Sequence, residues 1–135
     1  MLRKLFKEEK GFTMIELIIV IAIIAIIGAI IAPSFTKATT KSKIKADVAS
    51  IREVNRQIAL YMAEKGEYPA DLAALKTAGY LEEEPSPQTA GIKFVYSNTD
   101  GKVVIEADSP NKDVKDAVNG LSDDEKKFVT LDGFK

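Results

Sequence analysis

The side chains available for chemistry in this chain are carboxylates, lysines and hydroxyls, because the sequence contains no histidine and no cysteine. That excludes Ser-His-Asp and Cys-His nucleophiles, His-ligated zinc, thiolate metal sites, haem attachment through CxxCH, and disulfides. An enzyme would need Ser-Lys or carboxylate machinery, and no G-x-S-x-G elbow, P-loop or G-x-G-x-x-G is present. One carboxylate stands apart. Glu16 lies in residues 11–32, GFTMIELIIVIAIIAIIGAIIA, where everything after Gly11 except Thr13 and Glu16 itself is apolar. A charge at the centre of a membrane helix costs about 2.5–3.5 kcal/mol on insertion scales, so it needs a partner or a job. No cation lies within the apolar run to serve as that partner.

Charge is unevenly placed along the 135 residues, whose formal net charge is −1. Arg3, Lys4, Lys7 and Lys10 against Glu8 and Glu9 give the first eleven residues +2, so the remainder carries −1 − 2 = −3. A mildly acidic body argues against nucleic-acid binding as the purpose, and no specific nucleic acid is expected as a partner. Six aspartates, Asp108, Asp113, Asp116, Asp123, Asp124 and Asp132, make the last third acidic without any EF-hand spacing.

The element that must position Glu16 is a membrane-length helix. Residues 12–32 would span about 32 Å at 1.5 Å per residue, close to the hydrocarbon thickness of a bilayer, and lipid forces the backbone to satisfy itself as a helix. A cleavable secretory signal fits poorly, because the apolar run exceeds the usual 7–15 residues, no A-x-A site follows it and a charge sits five residues in. Lys and Arg near the two ends tie at four each, with Lys37, Lys41, Lys43 and Lys45 on the far side. The tie is broken by the long C-terminal region, which translocates largely regardless of charge. Pro33 ends the apolar run, with Gly28 five residues before it. Proline frees a carbonyl near Ala29, so a kink or local melting is expected there, and is preferred to helix termination because helical periodicity resumes afterwards.

From Ser34 to about Lys65 the pattern is amphipathic. Ile44, Val48, Ile51, Val54, Ile58 and Tyr61 form one stripe, while Lys41, Lys45, Asp47, Arg52, Glu53 and Arg56 are placed on the remaining surface. Gly66 suits the left-handed position after the helix. Tyr68-Pro69 enforces extended geometry before a short helix over Asp71–Thr77, with Leu72 and Leu75 inward, ended by Gly79. The run Glu82-Glu83-Glu84-Pro85-Ser86-Pro87 reads as an exposed extended loop. Ile92–Ser97 and Lys102–Ala107 read as a hairpin around Asn98-Thr99-Asp100-Gly101. A helical turn follows over Asp113–Asn119, then an N-capped turn at Ser122–Glu125, and Lys127–Leu131 is expected to add an edge strand. The expected fold is α+β: a long helical spine, hydrophobic then amphipathic, packed against a small head with an antiparallel hairpin. Its divisions are a leader at 1–11, a membrane half at 12–33, an amphipathic half at 34–65 and a head at 66–135.

Gly11 to Glu16, G-F-T-M-I-E, with its basic leader, apolar run, Pro33 and continuing amphipathic helix, resembles the class III signal of type IV pilins and type II secretion pseudopilins. Tyr68-Pro69 with Leu72 and Leu75 resembles the start of many pilin heads. The resemblance implies a non-enzymatic filament subunit, cut by a prepilin peptidase between Gly11 and Phe12 and then N-methylated at Phe12. It makes Glu16, with Thr13 beside it in the motif, the assembly position: the new Phe12 amine is the missing cation, either one turn away in the same chain or, in the family's assembly scheme, on a neighbouring subunit. A carboxylate hydrated at the bilayer interface is the plainer alternative. The implied partners are other copies of the chain, the peptidase, the membrane lipid that holds the subunit before assembly, and an assembly platform with its ATPase. The implied location is a single-pass cytoplasmic-membrane protein with its head outside, later a surface filament for motility, adhesion or DNA uptake. A secretion or competence pseudopilin is the alternative within the family, and a membrane-anchored binding domain that never polymerises is the alternative outside it. Pseudopilins can hold calcium in a C-terminal loop, which makes Asp123 and Asp124 candidates against the plainer reading of solvated surface acids. No cofactor is expected. The lack of cysteine departs from the many pilins whose heads carry a disulfide loop.

Overall fold

Helix α1 spans Met14–Lys65 and continues through Pro33. The computed structural model describes residues 11–135, so the expected leader lies, apart from Gly11, outside the described residues. Pro33 contributes no N–H to the helix, but three residues later the Thr36 hydroxyl donates to the Ala32 carbonyl at 3.1 Å, and the helix does not end there. It stops at Gly66, whose φ of 78° few other residues adopt and whose N–H bonds the Met62 carbonyl at 2.9 Å.

The chain divides into two units, residues 1–36 and 37–135. In the described part of the first, the apolar side chains of α1 have no cover, with Met14, Ile21 and Ile30 at 81%, 63% and 70% exposure. Among the described residues this is the one helix long and apolar enough to cross a membrane.

The second unit is built on the rest of α1. Ile44, Val48, Ile51, Val54 and Ile58 recur every three or four residues and are buried together. Helix α2, Leu72–Thr77, begins where the Asp71 carboxylate accepts the Ala74 N–H at 2.7 Å, and it buries Leu75. Strands β1, Ile92–Ser97, and β2, Lys102–Ala107, pair antiparallel with Phe94 opposite Ile105 and Tyr96 opposite Val103. Gly101 closes the turn at φ 63°, with the Tyr68 ring against the space a Cβ would need. Helix α3, Lys112–Asn119, is capped by Asn111 and buries Val114, Ala117 and Val118. Helix α4, Asp123–Lys126, carries a full capping box between Ser122 and Glu125. A 3₁₀ turn, Leu131–Phe134, buries Phe134.

The structure corrects two expectations. Lys127–Leu131 forms no strand: Phe128 and Val129 spend their N–H groups on the turn that closes α4, bonding the Glu125 and Lys126 carbonyls at 3.1 Å. Only one parallel bridge to β2 remains, from the Ile105 N–H to the Phe128 carbonyl and from the Thr130 N–H to the Ile105 carbonyl, both 2.8 Å. Asp47 does not lie on the solvated face. It sits on the buried stripe beside Ile44 and Ile51 at 1% exposure, and its two oxygens accept the N–H groups of Gln88 and Thr89 at 2.8 and 3.0 Å. The carboxylate therefore latches the loop before β1 onto the helix. Asn55 does the corresponding work for the sheet edge, accepting the Val103 N–H at 2.7 Å and donating to its carbonyl at 3.1 Å. Together Asn55 and residues 128–130 satisfy the outer edge of β2.

Candidate processing and assembly site

Gly11, Phe12 and Thr13 precede α1 and are exposed, Phe12 at 80%. Helix geometry begins abruptly after them because Thr13 and Glu16 cap it. The Thr13 carbonyl accepts the Leu17 N–H at 3.2 Å, which makes Thr13 the residue before the first helical turn. Its hydroxyl accepts the Glu16 N–H at 3.2 Å. In return Glu16 Oε2 accepts both the Thr13 N–H at 2.9 Å and the Thr13 hydroxyl at 3.2 Å. Two orphan donors at the helix start are thus satisfied reciprocally, with the negative group at the positive end of the helix dipole.

The partner that the sequence left unassigned for Glu16 is therefore partly local. The signal was legible as Thr-x-x-Glu directly before an apolar run, a capping-box signature hidden here inside a longer motif. Among the described residues the other oxygen, Oε1, makes no hydrogen bond. Hydrolysis between Gly11 and Phe12 would leave Thr13 and Glu16 on the same fragment, so the box survives the cut chemically while a positive amine appears at Phe12. Methylating that amine keeps its charge. At Gly11 and Gly28 an added Cβ would meet nothing within 4 Å, so neither glycine is required by packing inside one copy.

The structure does not draw Asp123 and Asp124 into an ion site. Both are exposed in the first turn of α4, and Asp124 pairs with Lys127 at 2.8 Å, which holds its carboxyl below the usual range. Glu125 is lowered in the same way, first by the Ser122 N–H and then by its hydroxyl. Among the described residues no group of three or more Asp or Glu side chains is arranged to hold a metal. At the far end of α1, Tyr80 donates to Glu64 and packs edge-on against Tyr61, with centroids 5.4 Å apart. The hydrogen bond to Glu64 pushes the Tyr80 phenol up, with burial and the Glu64 charge adding to the shift.

The site is thus an exposed apolar helix, long enough to cross a membrane, with a capped, carboxylate-bearing start and exposed Gly11 and Phe12 ahead of it. The family model described as the prokaryotic N-terminal methylation motif matches residues 6–32. Competence protein ComGC of Halalkalibacterium halodurans is 33% identical over 97 residues, covering 72% of this chain and 93% of that protein. The type IV wide pilus major component PilA4 of Thermus thermophilus is 32% identical over 93 residues, 69% of this chain and 70% of that one. A fimbrial protein of Neisseria meningitidis serogroup B is 27% identical over 112 residues, 83% of this chain and 62% of that one. No solved structure matches. The chain belongs to the type IV pilin and pseudopilin family, whose members are structural and not enzymatic.

Proposed function

We propose that this chain is the repeating subunit of a type IV pilus-like helical filament, that a prepilin peptidase cuts it between Gly11 and Phe12, and that residues 12–33 hold it in the membrane before and after the cut until assembly draws it out. The observation that carries the reading is the uncovered apolar surface of residues 14–31 directly behind the methylation signal. One copy cannot hide that surface, whereas lipid hides it before assembly and neighbouring helices hide it afterwards. Glu16 then works as a register key. Oε2 stays on Thr13, and Oε1 takes the methylated Phe12 amine of a neighbour, because in a low dielectric a misregistered carboxylate goes unpaired at a cost of several kcal/mol. Gly28 and Pro33 supply the weak point at which the helix stretches as the subunit leaves the membrane. The leader stays cytoplasmic and the head lies outside, and an assembly platform with its ATPase supplies the force.

A second reading within the family, a competence pseudopilin building a short filament, is favoured by the likeness to ComGC, which extends over 93% of that protein. Shearing cells and sequencing the released material by mass spectrometry tests both. Long filaments with this chain as main component and a methylated Phe12 at its N-terminus support the pilus reading. Retention of processed chain in the cell envelope with no sheared filament supports the pseudopilus. An unprocessed chain that begins before Gly11 in assembled material contradicts both.

A further inference from the structure

We infer that the acidic loop Glu82–Pro87 of one copy docks in the groove at the hairpin tip of the next copy's head. The inference rests on the polymer reading above and adds the surface by which heads meet. The groove measures about 450 Å³ and is open and mainly apolar. It is lined by Ala59 of α1, by the aromatic residues Tyr68 and Phe128, and by the exposed charged residues Asp100, Lys102 and Lys127. Lys102 makes no ion pair among the described residues. Lys127 is paired only with the exposed Asp124, an interaction worth little in water and cheaply exchanged.

The loop fits this groove in charge and in shape. Glu82, Glu83, Glu84 and Ser86 are exposed, and Pro85 and Pro87 are half-buried. Its two ends are tied to α1 by the Tyr80 ring on Tyr61 and by the Gln88 N–H on Asp47. Held at both ends, with bends at residues 82, 83 and 88, the loop is restrained before it docks, which lowers the conformational entropy lost on docking. A restrained proline-containing segment meeting aromatic side chains is a recurrent recognition mode, and here three carboxylates meet a groove lined by two lysines.

Groove and loop lie on different flanks of the same helix. At 3.6 residues per turn, Ala59 is displaced about 120° from Asp47 and about 160° from Tyr61 around the α1 axis. None of residues 82–87 lines the groove of its own copy. A second copy can supply the loop, and because the two surfaces differ the contact is heterologous, the kind that can repeat along a helical filament.

The test uses the full chain in cells that assemble it. The sequence has no cysteine, so Ser86→Cys with Lys102→Cys introduces the only two thiols. Oxidation should give a ladder of covalent multimers for the double variant and none for either single variant. Lys102→Glu with Lys127→Glu should lower sheared filament at least tenfold while the membrane level of subunit is unchanged, and adding Glu82→Lys with Glu84→Lys should restore it. Normal filaments without a ladder, or a crosslink joining the thiol introduced at position 86 to a different protein, would overturn this contact and leave the polymer reading standing. Absence from the wild type of both sheared filament and envelope-retained multimers would overturn the polymer reading itself.

Discussion

Replacing Asp47 by alanine is the sharpest perturbation of the head. The residue is 1% exposed and holds two backbone N–H groups, at 2.8 and 3.0 Å. Hydrogen bonds to a charged group contribute about 1.5–3 kcal/mol each. Gln88 is exposed, so water can replace its bond, whereas Thr89 is 4% exposed and its N–H would be left buried without an acceptor. Relief from burying a carboxylate offsets part of the loss. The net destabilisation is then about 2–4 kcal/mol. For a unit of residues 37–135 that lowers the unfolding midpoint by roughly 10–20 °C, taking about 5 °C per kcal/mol for a unit of that size. Asp47→Asn should recover at most about half, since its amide nitrogen faces a donor with a donor. All four tyrosines lie between residues 61 and 96 and there is no tryptophan, so near-ultraviolet circular dichroism of the detergent-solubilised chain follows the head without interference from the apolar helix. A midpoint for Asp47→Ala within about 2 °C of wild type would refute the latch.

Asn55→Ala should cost about 1–3 kcal/mol, because it strips the N–H and carbonyl of Val103 of partners at 2.7 and 3.1 Å, and amide exchange at Val103 should accelerate beyond that of Ile105. Glu125 contributes stability in a defined pH window. Its carboxyl is lowered from 4.5 in the folded chain by Ser122, so the contribution is fully present above pH 4.5 and is lost as pH falls through the lower folded value. Carboxyl carbon NMR should place the Glu125 midpoint below 4.5, and Glu125→Gln should remove that share of the acid dependence.

The sequence announced its helices and hairpin through features that act locally. The three-and-four spacing of Ile44 to Ile58, the positive-φ glycines at 66 and 101, and the cap at Ser122 each act over a few residues, and each is found where that local pattern places it. What escaped were polar groups whose partners lie far along the chain. Asp47 meets Gln88 across 41 positions and Asn55 meets Val103 across 48, so although helical spacing puts both on the Ile44 to Ile58 stripe, nothing local names the backbone groups that make burying them tolerable. The strand expected at Lys127–Leu131 failed for the opposite reason: β-prone residues were claimed by the turn bonds of α4 next to them. At the candidate assembly site the Thr13 and Glu16 capping box is written locally, as Thr-x-x-Glu before the apolar run, whereas a cation on a neighbouring copy leaves no mark in the sequence of one chain.

The central claim is that Glu16 pairs between subunits after processing, and sheared filament from cells carrying Glu16→Ala tests it most directly. The prediction is loss of filaments while processed subunit accumulates in the membrane at the wild-type level. Filaments of normal yield and helical rise from Glu16→Ala cells would contradict it.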